Sequence, residues 1–267
     1  GFFTDEPQYY RWAHAYTRIL PDFYKKTYGE DLLDGLGLMF VEKEGYRKFR
    51  YRYWKCMQTL MLKNFAEHIY NWCNENGVEF TGHYVEECNL TWQMACNAGI
   101  MPFYEFEHMP GMDKLARILE SPVPPRQVSS VARQLGKKRV LSEMFACCGW
   151  DVTPSELKRR ADWQYVNGVN VMCQHLLPYS EWGQRKRDYP AHFSWANPWV
   201  RHDFKTFNDY YAKLGYLLGE SEEIVNVGVF QPIRSAYLDY KEYTSGSVAA
   251  FDDSYVGLCE KLSAMNI

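Results

Sequence analysis

The sequence lacks long hydrophobic runs, and it lacks an excess of charge of either sign. Its longest apolar stretches, such as residues 36–41, are far shorter than the ~20 residues that a membrane helix needs. The 30 lysines and arginines against 33 aspartates and glutamates give a net charge of −3, without the basic surplus typical of nucleic-acid-binding proteins. We therefore expect neither a membrane nor a nucleic acid among its partners.

Cysteine and glycine motifs are missing as well. The eight cysteines include no CxxC pair, and Cys147 and Cys148 are adjacent, which suits neither a zinc site nor a disulfide framework. Scattered cysteines favour a reducing compartment and hence the cytoplasm, although the sequence begins at Gly1 and we expect the natural N-terminus to lie upstream. No GxGxxG or P-loop motif opens a predicted helix, so we expect no nucleotide or other organic cofactor.

Aromatic residues are abundant, with 21 Tyr, 15 Phe and 9 Trp among the 267 residues. Aromatic rings offer apolar faces on which sugar rings stack, although many of these rings must simply form the core. Several lie in predicted loops rather than at core spacings, namely Trp150, Tyr179, Trp182 and Trp195. These four indicate a carbohydrate-binding surface, or alternatively they close loops onto the core.

Short apolar runs alternate with helical patterns, which predicts an α/β fold with parallel strands. The predicted strands are 1–3, 78–83, 101–107, 139–144, 170–177 and 226–232. The predicted helices are 54–72, 127–135, 153–166, 203–218 and 255–264. The first is amphipathic, with apolar residues at three- and four-residue spacing, and the third begins with a capping-box pattern of Thr153 and Glu156. Each strand except the last ends in polar residues, as at the active face of a (β/α) barrel. Five such strands cannot close an eight-stranded barrel, so we expect part of one.

Glu6 lies shortly after the predicted strand 1–3, Glu143 lies near the end of the predicted strand 139–144, and these two are the leading catalytic candidates. Glycoside hydrolysis needs two carboxyl groups, one to donate a proton and one to activate water or attack the sugar. Asp5, beside Glu6, is a candidate for substrate binding. The competing interpretation is that each glutamate caps a helix or pairs with a surface base.

Glu105 and Glu107 lie two residues apart in the strand predicted at 101–107, so both are expected on one face. Two such carboxylates suit a hard cation such as calcium, or else an arginine from a neighbouring strand. His83 and His175 lie at or near the ends of the predicted strands 78–83 and 170–177, and His108 directly follows the predicted strand 101–107. They are candidates to hydrogen-bond sugar hydroxyls or, as an alternative, to hold zinc.

Five motifs occur in a recognisable order along the chain. They are Thr4-Asp5-Glu6-Pro7, Thr81-Gly82-His83, Glu105-Phe106-Glu107-His108, Ser142-Glu143-Met144-Phe145-Ala146, and Asp188-Tyr189-Pro190 through Ser194-Trp195-Ala196-Asn197-Pro198-Trp199. From residue 1 to about residue 232 the chain resembles the large bacterial α-L-rhamnosidase-like glycoside hydrolases, family 106 of the sequence classification. The resemblance implies an inverting mechanism, with Glu6 as general acid after strand four and Glu143 as general base on strand seven. It also implies a calcium ion near the sugar, with Glu105 as the first candidate ligand and Glu107 as the second.

The resemblance further implies the domain organisation and the substrate. Residues 1–222 would form strands four to eight of a partial TIM barrel, and residues 223–267 the truncated start of a flavodoxin-like α/β domain. Both would be completed by the remainder of the protein's own chain. The expected substrate carries a terminal α-L-rhamnose or similar deoxyhexose. Three alternatives stay open: a retaining β-glycosidase of the galactosidase type, a sugar-binding barrel without catalysis, and a zinc hydrolase.

Overall fold

A computed structural model describes residues 1–9, 14–118, 121–177, 180, 182–183, 193–195, 197–242 and 246–267. This part of the chain combines helices with short parallel strands. The strands are β1 (Phe2–Asp5), β2 (Phe80–His83), β3 (Gly111–Asp113), β4 (Leu141–Met144) and β5 (Val171–Gln174). The sequence prediction is confirmed, with shifted ends, for β1, β2, β4 and β5.

The strands form two parallel ladders that meet side by side. β1 pairs with β2, and β3, β4 and β5 pair in that order. A parallel bridge between Thr81 and Met109 connects the two ladders, so all five strands run in the same direction. Their carboxyl ends therefore point to one side of the molecule, which we call the carboxyl edge.

Two glycines allow β2 and β3 to approach each other closely. A Cβ atom on Gly111 would lie 2.2 Å from the carbonyl oxygen of Gly82, and one on Gly82 would lie 2.4 Å from the carbonyl oxygen of Thr4. Any larger residue would push these backbones apart. The glycines thus bring the ends of β1, β2 and β3 together.

The helices lie before, between and after the strands. They are α1 (Leu20–Tyr28), α2 (Leu32–Gly35), a 3₁₀ helix (Leu36–Met39), α3 (Tyr46–Met61), a π-helical turn (Leu62–Ala66), α4 (Glu67–Glu75), α5 (Leu90–Cys96), α6 (Met101–Tyr104), α7 (Val123–Gln134), α8 (Pro154–Val166), α9 (Pro198–His202), α10 (Phe204–Gly219), α11 (Ile233–Asp239) and α12 (Ala249–Ala264). The amphipathic helix predicted at 54–72 is confirmed within the continuous helical run from α3 to α4. Thr153 and Glu156 form the predicted capping box at the start of α8.

The strand predicted at 101–107 is wrong. Pro102 occupies the first turn of α6, where proline is favoured, and Phe103 and Tyr104 of this short helix are buried in contact with α7. The chain joins the sheet only at Met109, and β3 begins at Gly111. The strand predicted at 226–232 is also wrong, because residues 221–232 form no helix or strand and Phe230 is 85% exposed.

The buried apolar residues form two clusters. One surrounds α3, α5, α11 and α12 and contains Trp54, Met94 and Tyr237. The other lies along β3, β4 and their helices and contains Met112 and Met144. Residues after position 222 therefore pack into a core shared with residues 15–98, while the predicted division into two domains stays a prediction.

The partial barrel also stays a prediction, because the strands in the described ranges form two parallel ladders that do not close into a barrel. Within these same ranges, no helix combines the length and the apolar character needed to cross a membrane. All eight cysteines carry free thiols.

Candidate active site

Every strand brings a polar side chain to the carboxyl edge. Asp5 ends β1 opposite His83, which ends β2. Asp113 ends β3 opposite Glu143 in β4. Directly opposed residues on neighbouring strands point to the same face of a sheet, so both pairs project together. Glu6 and His175 follow β1 and β5 directly.

His83 is at the centre of this group and is fully buried. Its Nε2 donates a hydrogen bond to Oε2 of Glu143 at 2.8 Å and lies 3.5 Å from Oδ1 of Asp5. Nε2 of His175 lies 3.9 Å from Oε1 of Glu143. A ligand atom of Glu6, one of His83 and one of Asp113 all lie within 4.8 Å of one another. The predicted catalytic pair, Glu6 and Glu143, is thus brought to one imidazole ring.

The charges at the edge change the protonation of His83. Burial alone would lower its pKa, but the hydrogen bond to Glu143, together with the negative charge that Asp113 and Glu87 carry when they are ionised, outweighs burial and raises the pKa to about 9. At neutral pH His83 is therefore an imidazolium facing Glu143. Burial raises the pKa of Asp113 to about 7; the charge of His83 opposes this shift, and neighbouring carboxylates add to it.

A buried carboxyl group lies directly behind the edge. Glu87 is 3% exposed; its Oε1 accepts a hydrogen bond from the hydroxyl of Tyr104 at 2.9 Å, and its Oε2 accepts one from the backbone N–H of Asp113 at 3.1 Å. Burial raises the pKa of Glu87 to about 8. Its backbone carbonyl accepts hydrogen bonds from the side-chain amides of Gln93 and Gln127. This network fixes the loop after β2 against the end of β3.

The backbone is strained where the chain leaves the strands. Glu6 after β1 has φ of 49°, Glu86 after β2 has 61°, and Phe145 and Cys147 after β4 have 84° and 59°. Non-glycine residues rarely adopt such left-handed conformations, and those that do concentrate at functional sites. The strain therefore agrees with the side chains in locating function at the carboxyl edge.

The structure does not bring Glu105 and Glu107 into one pocket. Glu105 is exposed at the end of α6, whereas Glu107 is fully buried and its Oε2 accepts a hydrogen bond from the backbone N–H of Gly111. Burial raises the pKa of Glu107 well above its ordinary value. The predicted alternation fails because this segment turns as a helix rather than extending as a strand. The two residues therefore do not fit a shared calcium site.

His108 is at the wrong end of the sheet for the predicted role. Its Nδ1 accepts a hydrogen bond from the backbone N–H of Phe80, the first residue of β2, and its Nε2 is 3.0 Å from Oδ1 of Asn74. Its ring also packs on that of Tyr70, with centroids 4.5 Å apart. The predicted set of three histidines therefore does not converge, since only His83 and His175 lie at the carboxyl edge.

The structure describes three of the four aromatic residues predicted to form a carbohydrate-binding surface. Trp150, Trp182 and Trp195 are 61%, 89% and 68% exposed, so their faces are open to a ligand. Trp150 lies in the loop that follows β4. Tyr179 lies outside the described residues.

Two combinations of side chains could hold a cation. They are Asp5, His83 and Glu143, and Glu6, His83 and Asp113, with ligand atoms within 4.8 Å in each. Calcium prefers a shell of oxygen ligands, and here an imidazole already bonded to Glu143 is part of both groups. The carboxylates could supply oxygens, but the ligand pair expected from the resemblance is absent from both combinations.

Sequence reasoning missed Asp113 and Glu87. The apolar pattern predicts a strand at 101–107, and Asp113 therefore falls in no predicted strand. The available signal was Pro110-Gly111, a boundary typical of a strand that starts after a turn and approaches its neighbour closely. Glu87 carries no such signal, because its role depends on burial.

The similarity of this chain to known proteins is limited. No protein-family profile matches it. It is 25% identical over 197 residues to the "Putative beta-glucuronidase" of Formosa agariphila, covering 68% of this chain and 15% of that protein. The chain thus spans less than a sixth of that relative's length. The similarity supports a glycoside hydrolase in general, without specifying rhamnose as the sugar.

Proposed function

We propose that the protein hydrolyses a terminal glycosidic bond with Glu6 and Glu143 as the two catalytic carboxyl groups. The observation that carries the proposal is the meeting of these two glutamates, from β1 and β4, at the single buried imidazole of His83. Two carboxyl groups on one side of a parallel sheet are the minimum that glycoside hydrolysis requires.

The two glutamates have different surroundings, which supports different roles. Glu143 faces the charged His83 at 2.8 Å, and an anionic carboxylate is the form that activates water or attacks the sugar. Glu6, in its strained conformation beyond the end of β1, is then the proton donor to the leaving oxygen. No step of this mechanism is assigned to calcium, which stays an expectation from the resemblance.

We propose a terminal α-L-rhamnose or similar deoxyhexose as the sugar, with inversion at the anomeric carbon, because the motif order resembles that of rhamnosidases. A retaining β-glycosidase is the second candidate. The similarity to the "Putative beta-glucuronidase" favours this second candidate. The two differ in both substrate and stereochemistry, so they can be separated by experiment.

The test uses the full-length protein and three aryl glycosides: 4-nitrophenyl α-L-rhamnoside, β-D-glucuronide and β-D-galactoside. The first substrate should be hydrolysed fastest, and proton NMR of the first-formed sugar should show the inverted anomer. Faster hydrolysis of either β-glycoside with retention would select the second candidate.

Variants test the two carboxyl groups directly. Glu143→Gln and Glu6→Gln keep the side-chain shape but remove the acid–base function, so each should lower turnover by several orders of magnitude. The matched control is Glu75→Gln, at an exposed glutamate at the end of α4, which should retain the parent's activity. Activity of Glu143→Gln within tenfold of the parent would exclude Glu143 from the mechanism.

A further inference from the structure

We propose that Asp113 is a substrate-binding residue that holds a hydroxyl group of the sugar at the carboxyl edge, beside Glu6 and Glu143. The inference rests on the proposed glycoside hydrolysis. It assigns a function to the end of β3, the strand for which sequence reasoning identified no site residue.

Asp113 lies where a sugar held between the two glutamates would reach it. Asp113 lies directly opposite Glu143 in the β3–β4 ladder, so the two side chains project from the same face. A carboxylate oxygen of Asp113 also lies within 4.8 Å of a ligand atom of Glu6. Aspartate is one methylene shorter than glutamate, so its carboxyl group stays closer to the strand than that of Glu143. A sugar between the two glutamates would therefore rest above Asp113.

The end of β3, which carries Asp113, is held in place by backbone hydrogen bonds on both sides. The backbone N–H of Asp113 donates to Oε2 of the buried Glu87 at 3.1 Å, and the next N–H, of Lys114, donates to the carbonyl oxygen of Glu143 at 3.2 Å. The end of β3 is thus tied on one side to the buried network and on the other to β4. Residues that bind substrates with specificity are held by such supporting contacts.

Asp113 has a hydrogen-bond acceptor that the protein does not use. The residue as a whole is partly buried, its Oδ1 atom is buried, and this atom accepts no hydrogen bond from the residues that the structure describes. A carboxyl oxygen accepts hydrogen bonds, and sugar hydroxyls are donors. A purely structural carboxylate at this depth would be expected to be satisfied by the protein itself. Asp113 instead presents its carboxyl group toward the two proposed catalytic glutamates.

The test compares Asp113→Ala and Asp113→Asn with the parent, using the aryl glycoside that the full-length parent hydrolyses fastest. We expect kcat/KM to fall 10- to 100-fold for Asp113→Ala, mainly through KM. The matched control is Asp22→Asn, at an exposed aspartate in α1, which should be unchanged. Thermal unfolding of each variant checks that the fold persists; if Asp113→Ala does not fold, the isosteric Asp113→Asn is judged by the same criteria.

The decisive readout uses 2-deoxy, 3-deoxy and 4-deoxy versions of the same glycoside. In the parent, removal of the hydroxyl bound by Asp113 should reduce kcat/KM strongly, while in the Asp113 variant it should cause at most a twofold further loss. Equal losses on all three analogues in both proteins, or variants within twofold of the parent, would overturn the inference. An active parent with inactive Glu143→Gln and unaffected Asp113 variants would overturn this inference alone, whereas a parent that hydrolyses no glycoside would overturn the proposed function with it.

Discussion

Replacing His83 by glutamine perturbs the electrostatic centre of the site while keeping a side chain of similar reach. His83 is fully buried, and its charged ring is bonded to Glu143 at 2.8 Å. Glutamine can still donate a hydrogen bond, but it carries no charge. The variant therefore separates the effect of the imidazolium charge from that of the hydrogen bond.

The magnitude follows from the pKa of His83, which rises from the ordinary 6.5 to about 9. At 1.36 kcal/mol per pKa unit, this rise corresponds to at most about 3 kcal/mol of folding free energy. Because the folded protein binds the proton more tightly than the unfolded chain, this contribution is complete below pH 6.5 and is lost as the pH rises to 9. A partner removed from a buried ion pair costs a comparable amount, about 3–5 kcal/mol.

The assay is urea unfolding followed by tryptophan fluorescence at several pH values between 6 and 9.5. The difference in unfolding free energy between the parent and His83→Gln should be about 3 kcal/mol at pH 6 and should shrink toward zero near pH 9. The variant should also hydrolyse glycosides at least about tenfold more slowly at pH 6, because Glu143 loses its cationic partner.

The control is His108→Gln, which replaces the histidine at the opposite end of β2. Burial lowers its pKa, the opposite direction from His83, so its replacement should not remove the loss of stability between pH 6.5 and 9. A difference between parent and His83→Gln that stays constant from pH 6 to 9.5 would refute the charged state of His83.

Three further changes test the architecture around the site. Gly111→Ala should destabilise the protein by about 3 kcal/mol in chemical denaturation, because the new Cβ atom would lie 2.2 Å from the carbonyl oxygen of Gly82. The control is Gly37→Ala, where a Cβ atom would have open space around it. Equal stability of the two variants would contradict the close approach of β2 and β3. Thr153→Ala removes the capping box of α8 and should lower the unfolding free energy by about 1 kcal/mol, which corresponds to a melting temperature about 2–4 °C lower. An unchanged melting temperature would show that the cap does not stabilise the protein. Burial raises the pKa of Glu87 from 4.5 to about 8, so the unfolding free energy of the parent should fall as the pH rises through this range. Glu87→Gln should make the unfolding free energy depend less steeply on pH. An identical pH dependence in parent and variant would argue against a protonated Glu87.

The local elements were predictable because their causes are local. The run of apolar residues at three- and four-residue spacing predicted the helix at 54–72, and Thr153 with Glu156 predicted the start of α8. Apolar runs followed by polar residues predicted four of the five described strands. Glu6 and Glu143 were accessible to the same reasoning, since each directly follows or ends such a run.

The segment from Met101 to Asp113 shows where local reasoning fails. Its apolar and charged residues alternate as in a strand, yet Pro102 starts a helix and the sheet takes up the later Gly111–Asp113. The sheet accepts the later segment because Gly111 has no Cβ atom, so its backbone can lie against that of Gly82. That contact joins positions that are far apart in sequence, and a local pattern does not reveal it. Because the strand was predicted too early in the chain, Asp113 was left out of the predicted site and Glu105 was included in it.

Local sequence patterns therefore predicted five helical segments, four of the five described strands and the two glutamates at strand ends, because periodicity, capping and strand boundaries depend on neighbouring residues. Contacts between distant segments decide that His83 pairs with Glu143, that Glu87 and Glu107 are buried, and that His108 lies at the opposite end of β2. Burial, strand register and the distance between charges arise only where such segments meet in space. The protonation states of these side chains follow from them, and for that reason they could not be read from the chain alone.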